Sequence, residues 1–339
     1  MIKIDGSYGE GGGQVLRTSL ALSAILQKPI EIFNIRVKRP KPGLRPQHLA
    51  CVKAVQKITH ADVNGAEIGA KKLRFSPKGI FPGKYNFDIG TAGSTSLVLQ
   101  SILLPLSMAD EVSEIKIKGG THVPWSPPFH YLKYVFAPML NSIGIKIELK
   151  LYQWGWYPEG GGEIVIRVFP AKELKAQSWN EPPNFSCLKA ISASSHLPEH
   201  VRKRQIERLI FRLKEIGLEI KSKEEIEASG KGKGSFLFLW IDEKIKAGFS
   251  ALGAKGKPAE EVAEEVFKYF FTYYRANVCL EEHLADQIIP YLCLASGQSC
   301  FKTIISSHLI TNIWVINQFL KRKIEYTKSI GEINEIKIT

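Results

Sequence analysis

A glycine-rich corner occurs twice in this 339-residue chain, as Tyr8-Gly9-Glu10-Gly11-Gly12-Gly13-Gln14-Val15 and again as Tyr157-Pro158-Glu159-Gly160-Gly161-Gly162-Glu163-Ile164. Each copy follows a strand-like run, residues 1–5 and 145–152. Long-range self-similarity marks a chain built by repeating one supersecondary unit, each of which needs its neighbours to bury its apolar face. Glycine at such corners supplies backbone conformations that other residues reach only with strain. The copies then diverge: helical periodicity follows the first over 15–26, strand-like alternation the second over 163–169. The expectation is a set of related α/β units with glycines at corresponding corners.

Helical patterns are clearest at 14–26, 48–59, 94–108, 130–143, 199–216, 258–275, 283–295 and 310–319. Strands read at 30–37, 72–75, 84–88, 114–118, 145–151, 164–168, 189–194, 219–228, 235–241, 247–252 and 301–305. The two types alternate without a doubly wound pattern, so the fold class is α/β (α+β) with mixed sheets. A polar, proline-containing stretch at 178–184 reads as a linker. Beyond it, strand, helix, three strands and helix make a complete small layer, after which motif-like residues return. The expected division is a large domain of residues 1–183 plus 277–339 and a small inserted α/β domain of 184–276.

The charge balance narrows the partners. Forty-six Lys and Arg against thirty-three Asp and Glu give +13. Arg36, Lys38, Arg39, Lys41 and Arg45 crowd a loop stiffened by Pro40 and Pro42, which suits a polyanion such as RNA or nucleotide phosphate. No stretch approaches twenty apolar residues, so neither a membrane span nor a signal peptide is expected. Five cysteines without a CxxC pair argue against a zinc ribbon or disulfide framework and fit a reducing cytoplasm.

Chemistry concentrates in a few segments. Ser306-Ser307-His308-Leu309-Ile310-Thr311-Asn312 sets one histidine among hydroxyl groups just ahead of an apolar run, and a neutral imidazole is a competent nucleophile toward phosphorus. The first corner opens a helix, so its N–H groups suit phosphate, although no P-loop or dinucleotide fingerprint is present. Its Glu10 is a candidate for Mg²⁺, and Arg17, about two turns along, for the same anion. Gly90-Thr91-Ala92-Gly93-Ser94-Thr95 is a second such corner, leading into an apolar helix that carries Gln100. In His283-Leu284-Ala285-Asp286-Gln287, His283, Asp286 and Gln287 share a face at i, i+3 and i+4, able to orient an imidazole or a nucleotide. Trp125, in a proline-stiffened loop after Gly119-Gly120-Thr121, reads as packing beneath that loop rather than stacking on a base.

Taken in order, these motifs resemble the RNA 3′-terminal phosphate cyclase family over nearly the whole chain. The resemblance implies a large domain of repeated α/β units like the C-terminal domain of a bacterial translation initiation factor and the enolpyruvyl transferases. It also implies an ATP-dependent enzyme whose nucleophile falls on His308 and whose intermediate is a covalent histidyl-AMP. AMP passes to the 3′-phosphate end of an RNA, and the vicinal 2′-hydroxyl then closes a 2′,3′-cyclic phosphate. Residue by residue, it places Mg²⁺ or Mn²⁺ on Glu10, and ATP on Gln100 and on His283, Leu284, Ala285, Asp286 and Gln287. Phosphate or the RNA end falls to Arg17, Arg36, Arg39, Gln47 and His48. Asp286 or Gln287 is expected beside His308 to orient it, and an oligomer is compatible with the family. Non-catalytic relatives of the same fold, which bind RNA in ribosome assembly, lack the histidine that this chain retains at His308.

Overall fold

The computed structural model describes residues 1–327 and 329–339. Its first sheet contains β1 (Ile2–Asp5), β2 (Ile30–Phe33), β3 (Asp62–Asn64) and β4 (Leu73–Ser76), with α1 (Gly13–Leu26) and α2 (Pro46–Thr59) in the first two connections. The strand order is β1-β2-β4-β3, the first pair parallel and the others antiparallel. The second sheet contains β5 (Lys84–Asp88), β6 (Ser113–Gly119), β7 (Ile147–Gln153) and β8 (Gly162–Val168). Helix α3 (Thr95–Ser107) joins its first two strands. A broken helix of α4 (Phe129–Tyr131), a π-helical turn over Leu132–Phe136 and α5 (Ala137–Ser142) follows β6. The order β5-β6-β8-β7 and its directions repeat those of the first sheet.

A third copy starts at β9 (Ser178–Trp179) and is interrupted. The interruption consists of β10 (Leu188–Ser195), α6 (His200–Lys214), β11 (Ile220–Glu227), β12 (Gly234–Asp242), β13 (Lys246–Leu252) and α7 (Ala259–Ala276). The copy then resumes with α8 (Glu282–Leu294), β14 (Ser299–Ile304), α9 (Ser307–Phe319), β15 (Ile324–Glu325) and β16 (Ile333–Ile338). Its order, β9-β14-β16-β15, has the same pattern of directions. Repeated α/β units are therefore present, three times over.

The two glycine corners do not correspond, however. The first joins β1 to α1, whereas the second lies between β7 and β8. Within the second unit, the corner equivalent to Gly9–Gly13 is the one at Gly90–Ser94. Other differences have local causes. The strand expected at 30–37 stops at Phe33, because Asn34 and Arg36 take φ of 54°, which breaks a ladder. The stretch at 178–184 is not wholly linker: Trp179 is buried against Phe301, and its segment pairs with β14. Helix α9 begins three residues before the pattern expected from 310, because the Ser306 hydroxyl caps it by accepting from Leu309 N at 3.0 Å. Strands β3, β15 and β16 lie outside the sequence reading.

The interrupting segment forms its own sheet, β11-β10-β12-β13. Side chains alternate along a strand, and β12 uses both faces. Leu237, Leu239 and Ile241 face α6 and α7 in a separate apolar cluster. Phe236, Phe238 and Trp240 join the main core, where Trp240 stacks on Tyr134 of the π-helical turn. Burying a large apolar side chain contributes roughly 1.5–3 kcal/mol, so three aromatic side chains on this face hold it firmly.

At this junction lies a buried histidine pair. His122 Nε2 and His130 Nδ1 are 2.8 Å apart, and Thr121 Oγ1 lies 2.9 Å from His122 Nδ1. Trp154 and Phe236 enclose both rings. One ring donates to the other, which requires the accepting ring to be neutral. Burial, together with the mutual repulsion of His130 for His122 and of Lys133 for His130, pushes both well below the usual imidazole range. Below about pH 6.5 the unfolded chain takes up these protons and the folded chain does not, so stability falls with pH. The urea midpoint is expected to drop steeply from pH 6.5 to 4. His130→Gln should remove about 1.4 kcal/mol per pH unit from that slope, and an unchanged slope would contradict the neutral pair.

Candidate active site

The first helix of each unit meets the others around one small cavity. Gln14, Arg17 and Thr18 of α1, Gln100 and Leu104 of α3, and Asp286, Gln287, Pro290 and Tyr291 of α8 all line it, with Asn312 of α9. Its volume is about 30 Å³, which suits ordered water rather than a nucleobase. Two buried polar atoms on its wall, Arg17 Nε and Gln287 Oε1, have no hydrogen-bond partner among the described residues. Such atoms normally find a partner in the protein, in water or in a ligand.

Asn312 ties these helices together. Its Oδ1 accepts from Gln14 Nε2 at 2.9 Å and from Thr18 Oγ1 at 2.7 Å, and its Nδ2 donates to the Asp286 carbonyl at 2.6 Å. Arg17 is buried one turn into α1, not two, with Nη2 donating to Gln14 Oε1 at 2.6 Å. Burial lowers the Arg17 pKa, against the pull of Cys51 and Asp286. The Asp286 carboxyl is pushed up to about 8 by burial, with His283 and Arg17 opposing and Glu281 and Glu282 adding. At neutral pH it is therefore mainly the uncharged acid.

His308 lies in the first turn of α9, half-exposed, and its surroundings come from the other end of the chain. Glu10 Oε1 is 3.4 Å from His308 Nδ1, and the Ser307 hydroxyl donates to the same carboxylate. Arg39 Nη2 reaches Glu10 Oε2 at 3.3 Å. Burial works against ionisation of Glu10, but Ser307, His308 and Arg39 outweigh it and hold the carboxyl below its usual range. For His308, partial burial lowers the pKa; Glu10 opposes, and Arg17, His283 and Arg39 add to the fall. The helix N-terminus likewise favours an uncharged ring and a neighbouring anion. Near neutral pH the imidazole is thus free base, with the Nδ1 edge toward Glu10 and the lone pair at Nε2.

The remaining candidates fall in graded positions. His48 Nδ1 accepts from Arg45 N at 3.2 Å, and its ring lies so close over Gly13, with Arg17, that a side chain there would collide with both. Burial pushes His48 down to about 3, with Arg36, Arg17 and Arg45 adding, so it too is neutral. Gln47 Oε1 accepts from Ser94 N at 2.8 Å and locks the second glycine corner to α2. Arg36 is partly engaged already, donating to the Lys41 and Gly43 carbonyls. His283 stands exposed at the start of α8, while Asp286 and Gln287 turn into the cavity, so the three do not form one cluster. Leu284 and Ala285 are fully buried in the core and offer no side-chain surface to a ligand. Neither Asp286 nor Gln287 hydrogen-bonds to His308: the Asp286 carbonyl is taken by Asn312, Gln287 bonds back to the His283 carbonyl, and the carboxylate at the ring is Glu10. Trp125, far from packing beneath its loop, is 95% exposed.

Sequence reasoning assigned no role to Ser307, Thr18 or Asn312. A signal was present in the i, i+4 pairs Gln14/Thr18 and His308/Asn312, which put two polar residues on one face of each helix. Tyr8, stacked on Trp314 at 4.0 Å, adds another tie between α9 and the first corner.

The fold and site define a three-unit α/β protein in which one histidine, one carboxylate and several arginines converge near helix N-termini. The family model for RNA 3′-terminal phosphate cyclase matches residues 8–326. A protein of that description from Pyrococcus furiosus is 44% identical over 339 residues, covering 100% of this chain and 98% of its own. Those from Pyrobaculum aerophilum and Methanopyrus kandleri are 41% and 42% identical, covering 97% and 98% of this chain and 96% and 97% of theirs. This chain belongs to the RNA 3′-terminal phosphate cyclase family. A solved enolpyruvyl transferase, NikO from Streptomyces tendae, overlaps 49% of this chain and 32% of its own at TM-score 0.29 and 16% identity, a likeness too slight to bear on the fold.

Since Asn312 makes its three bonds without accessible surface, Asn312→Leu strands the Asp286 carbonyl and leaves two donors facing an apolar group. A loss of about 2–4 kcal/mol in urea unfolding is expected. A loss under 1 kcal/mol would mean that the helices hold together without this amide.

Proposed function

We propose that this chain converts an RNA 3′-terminal phosphate into a 2′,3′-cyclic phosphate at the expense of ATP, with His308 as nucleophile. The observation that carries this is the Glu10 carboxylate at the Nδ1 edge of His308, which leaves Nε2 without a protein partner among the described residues. Nε2 attacks the α-phosphorus of ATP, forming a P–N bond as the bond to pyrophosphate breaks. A terminal phosphate oxygen of the RNA then displaces the imidazole and takes the adenylate. Finally the 2′-hydroxyl attacks the terminal phosphorus, and AMP leaves.

The chemistry needs each step. A phosphomonoester has no good leaving group until adenylation supplies one, and the ribose holds its 2′-hydroxyl beside the phosphorus, which favours ring closure through proximity. The same hydroxyl makes RNA, rather than DNA, the substrate. Arg17, Arg36, Arg39, Gln47 and His48 are the proposed contacts to phosphate and the RNA end. Gln100, Asp286 and Gln287 are the proposed contacts to the nucleotide, with His283 at the rim. The unpartnered Arg17 Nε and Gln287 Oε1 leave the cavity wall hydrogen-bonding capacity for a phosphate at the cavity mouth or for ordered water.

A divalent cation, Mg²⁺ or Mn²⁺, fits one place. No group of three or more His, Cys, Asp or Glu able to hold a metal occurs among the described residues, so an all-protein cage is not available. Glu10, ionised and beside the Ser307 hydroxyl, is the hard oxygen ligand that such an ion shares with nucleotide phosphates and water. Bound there, the ion would neutralise phosphate charge. We also propose the division into a large domain, 1–183 plus 277–339, and a small inserted domain, 184–276; the separate sheet and apolar cluster of the insert support it.

Incubation with α-³²P-labelled ATP and Mg²⁺ tests the central step. Native protein is expected to retain acid-labile label, as a phosphoramidate does, and His308→Ala to retain none. Glu10→Ala should label at least tenfold more slowly. Label that persists in His308→Ala would move the nucleophile elsewhere, and a native protein that takes no label would point to a non-catalytic RNA-binding relative.

A further inference from the structure

Trp125 is the most anomalous side chain on this surface. Of the six tryptophans it alone is open to solvent, at 95%, and its φ is +58°, a conformation that bulky residues seldom adopt. Its loop is anchored, not loose: Ser96 Oγ donates to the Pro127 carbonyl at 2.6 Å and Ser126 Oγ to the Val123 carbonyl at 3.1 Å. A second exposed aromatic ring, Tyr157 at 64%, belongs to the adjacent segment, which a parallel bridge between His122 and Trp156 runs beside this loop.

The segments that carry both rings border the corner at Gly90–Ser94: Gly120 bridges to Ser94, and Gly160 follows Tyr157. Gly160 packs so closely on Thr91 and Ala92 that a β-carbon there would come within 3.0 Å of their backbone. Past it, the stem of Lys231, in a loop of the inserted segment, lies along Gly161. Lys231 and Lys233 are both exposed, with Glu159 against the glycine between them as the carboxylate at this point. In the other direction, Gln47 bonds the same corner to α2, where His48 lies against Gly13, next to Glu10 and His308. A chain of packing contacts thus links the corner beside His308, through Gln47 and Gly90–Ser94, to the segments that carry the two open rings and to the lysines of the insert.

We propose that this surface is a track for single-stranded RNA, holding the nucleotides that precede the reacting end. Aromatic faces and flanking cations are the combination that binds unpaired bases and their phosphates without regard to sequence. The proposal rests on the RNA-end reading above and adds to it a binding segment that bridges to the inserted sheet, giving the insert a role in substrate capture.

The test uses the full chain and a 12-nucleotide single-stranded RNA ending in a 3′-hydroxyl, which cannot be consumed. Binding should quench tryptophan fluorescence in the native protein, and Trp125→Leu should remove that quenching and weaken Kd about tenfold. Lys231→Glu with Lys233→Glu should weaken Kd and reduce the salt slope by roughly 1.4, the share of two phosphate contacts on a single strand. For a 3′-phosphorylated dinucleotide, too short to reach the track, KM should be unchanged in both variants. Labelling of His308 by ATP should also be unchanged. Equal binding of the 12-mer by native protein and both variants would overturn the proposal, as would equally tight binding of a duplex. A matching rise in KM for ATP in Trp125→Leu would overturn it too, assigning the ring to the ATP base. If native protein took no label yet bound the 12-mer through Trp125, the catalytic reading would fail and the track would stand.

Discussion

A single buried amide fixes the register of the three helices that carry the candidate site. Asn312 offers one acceptor and one donor group, and all of its bonds go to other helices: to Gln14 and Thr18 on α1 and to the Asp286 carbonyl on α8. Without water to compete, each bond has a fixed geometry, and leaving any one of them unmade is costly. Apolar packing between α1, α8 and α9 would tolerate sliding by a fraction of a turn, whereas this amide does not. Four residues before it, on the same face of α9, stands His308, so the register of the amide is the register of the histidine.

The repeated unit explains why so many useful groups meet here. In each copy the first helix follows a parallel strand, and α1, α3 and α8 all border the same cavity. Unsatisfied N–H groups at helix starts favour anions, so a fold that gathers them is predisposed to phosphate before any side chain is chosen. The side chains then refine it. Glu10 and Arg39 set charge around the imidazole of His308, and the neutral His48 lets Arg17 and Arg36 approach the centre without a further cation between them.

How much of this was legible in the sequence depended on range. Elements with strong periodicity, such as α1, α7 and β12, read correctly because their burial patterns are local. The β9 strand at Ser178–Trp179 did not, since two residues carry no period and become a strand only against β14, more than a hundred positions later. The glycine corners showed that units repeat but not how they correspond, because a glycine triplet serves a β-to-α corner and a hairpin equally well. At the site, motif residues such as Glu10 and His308 stood out by type. Their mutual contact, and the withdrawal of Leu284 and Ala285 into the core, depend on tertiary placement. Trp125 reversed its expectation for the same reason: an aromatic residue packs only if the fold leaves a space for it.

The contact between Glu10 and Ser307 spans 297 positions, and it has a consequence for biosynthesis. A ribosome adds roughly 5–20 residues per second, so the first unit leaves the tunnel on the order of tens of seconds before the histidine that completes it. During that interval the nascent chain displays Arg36, Arg39 and the rest of its cationic loop with no imidazole beside Glu10. Closure must await both the insert and the final helix, and contacts of such long sequence separation form slowly. A chain cut short before α9 therefore keeps the anion-attracting loop of Arg36 and Arg39 but lacks the imidazole that meets Glu10.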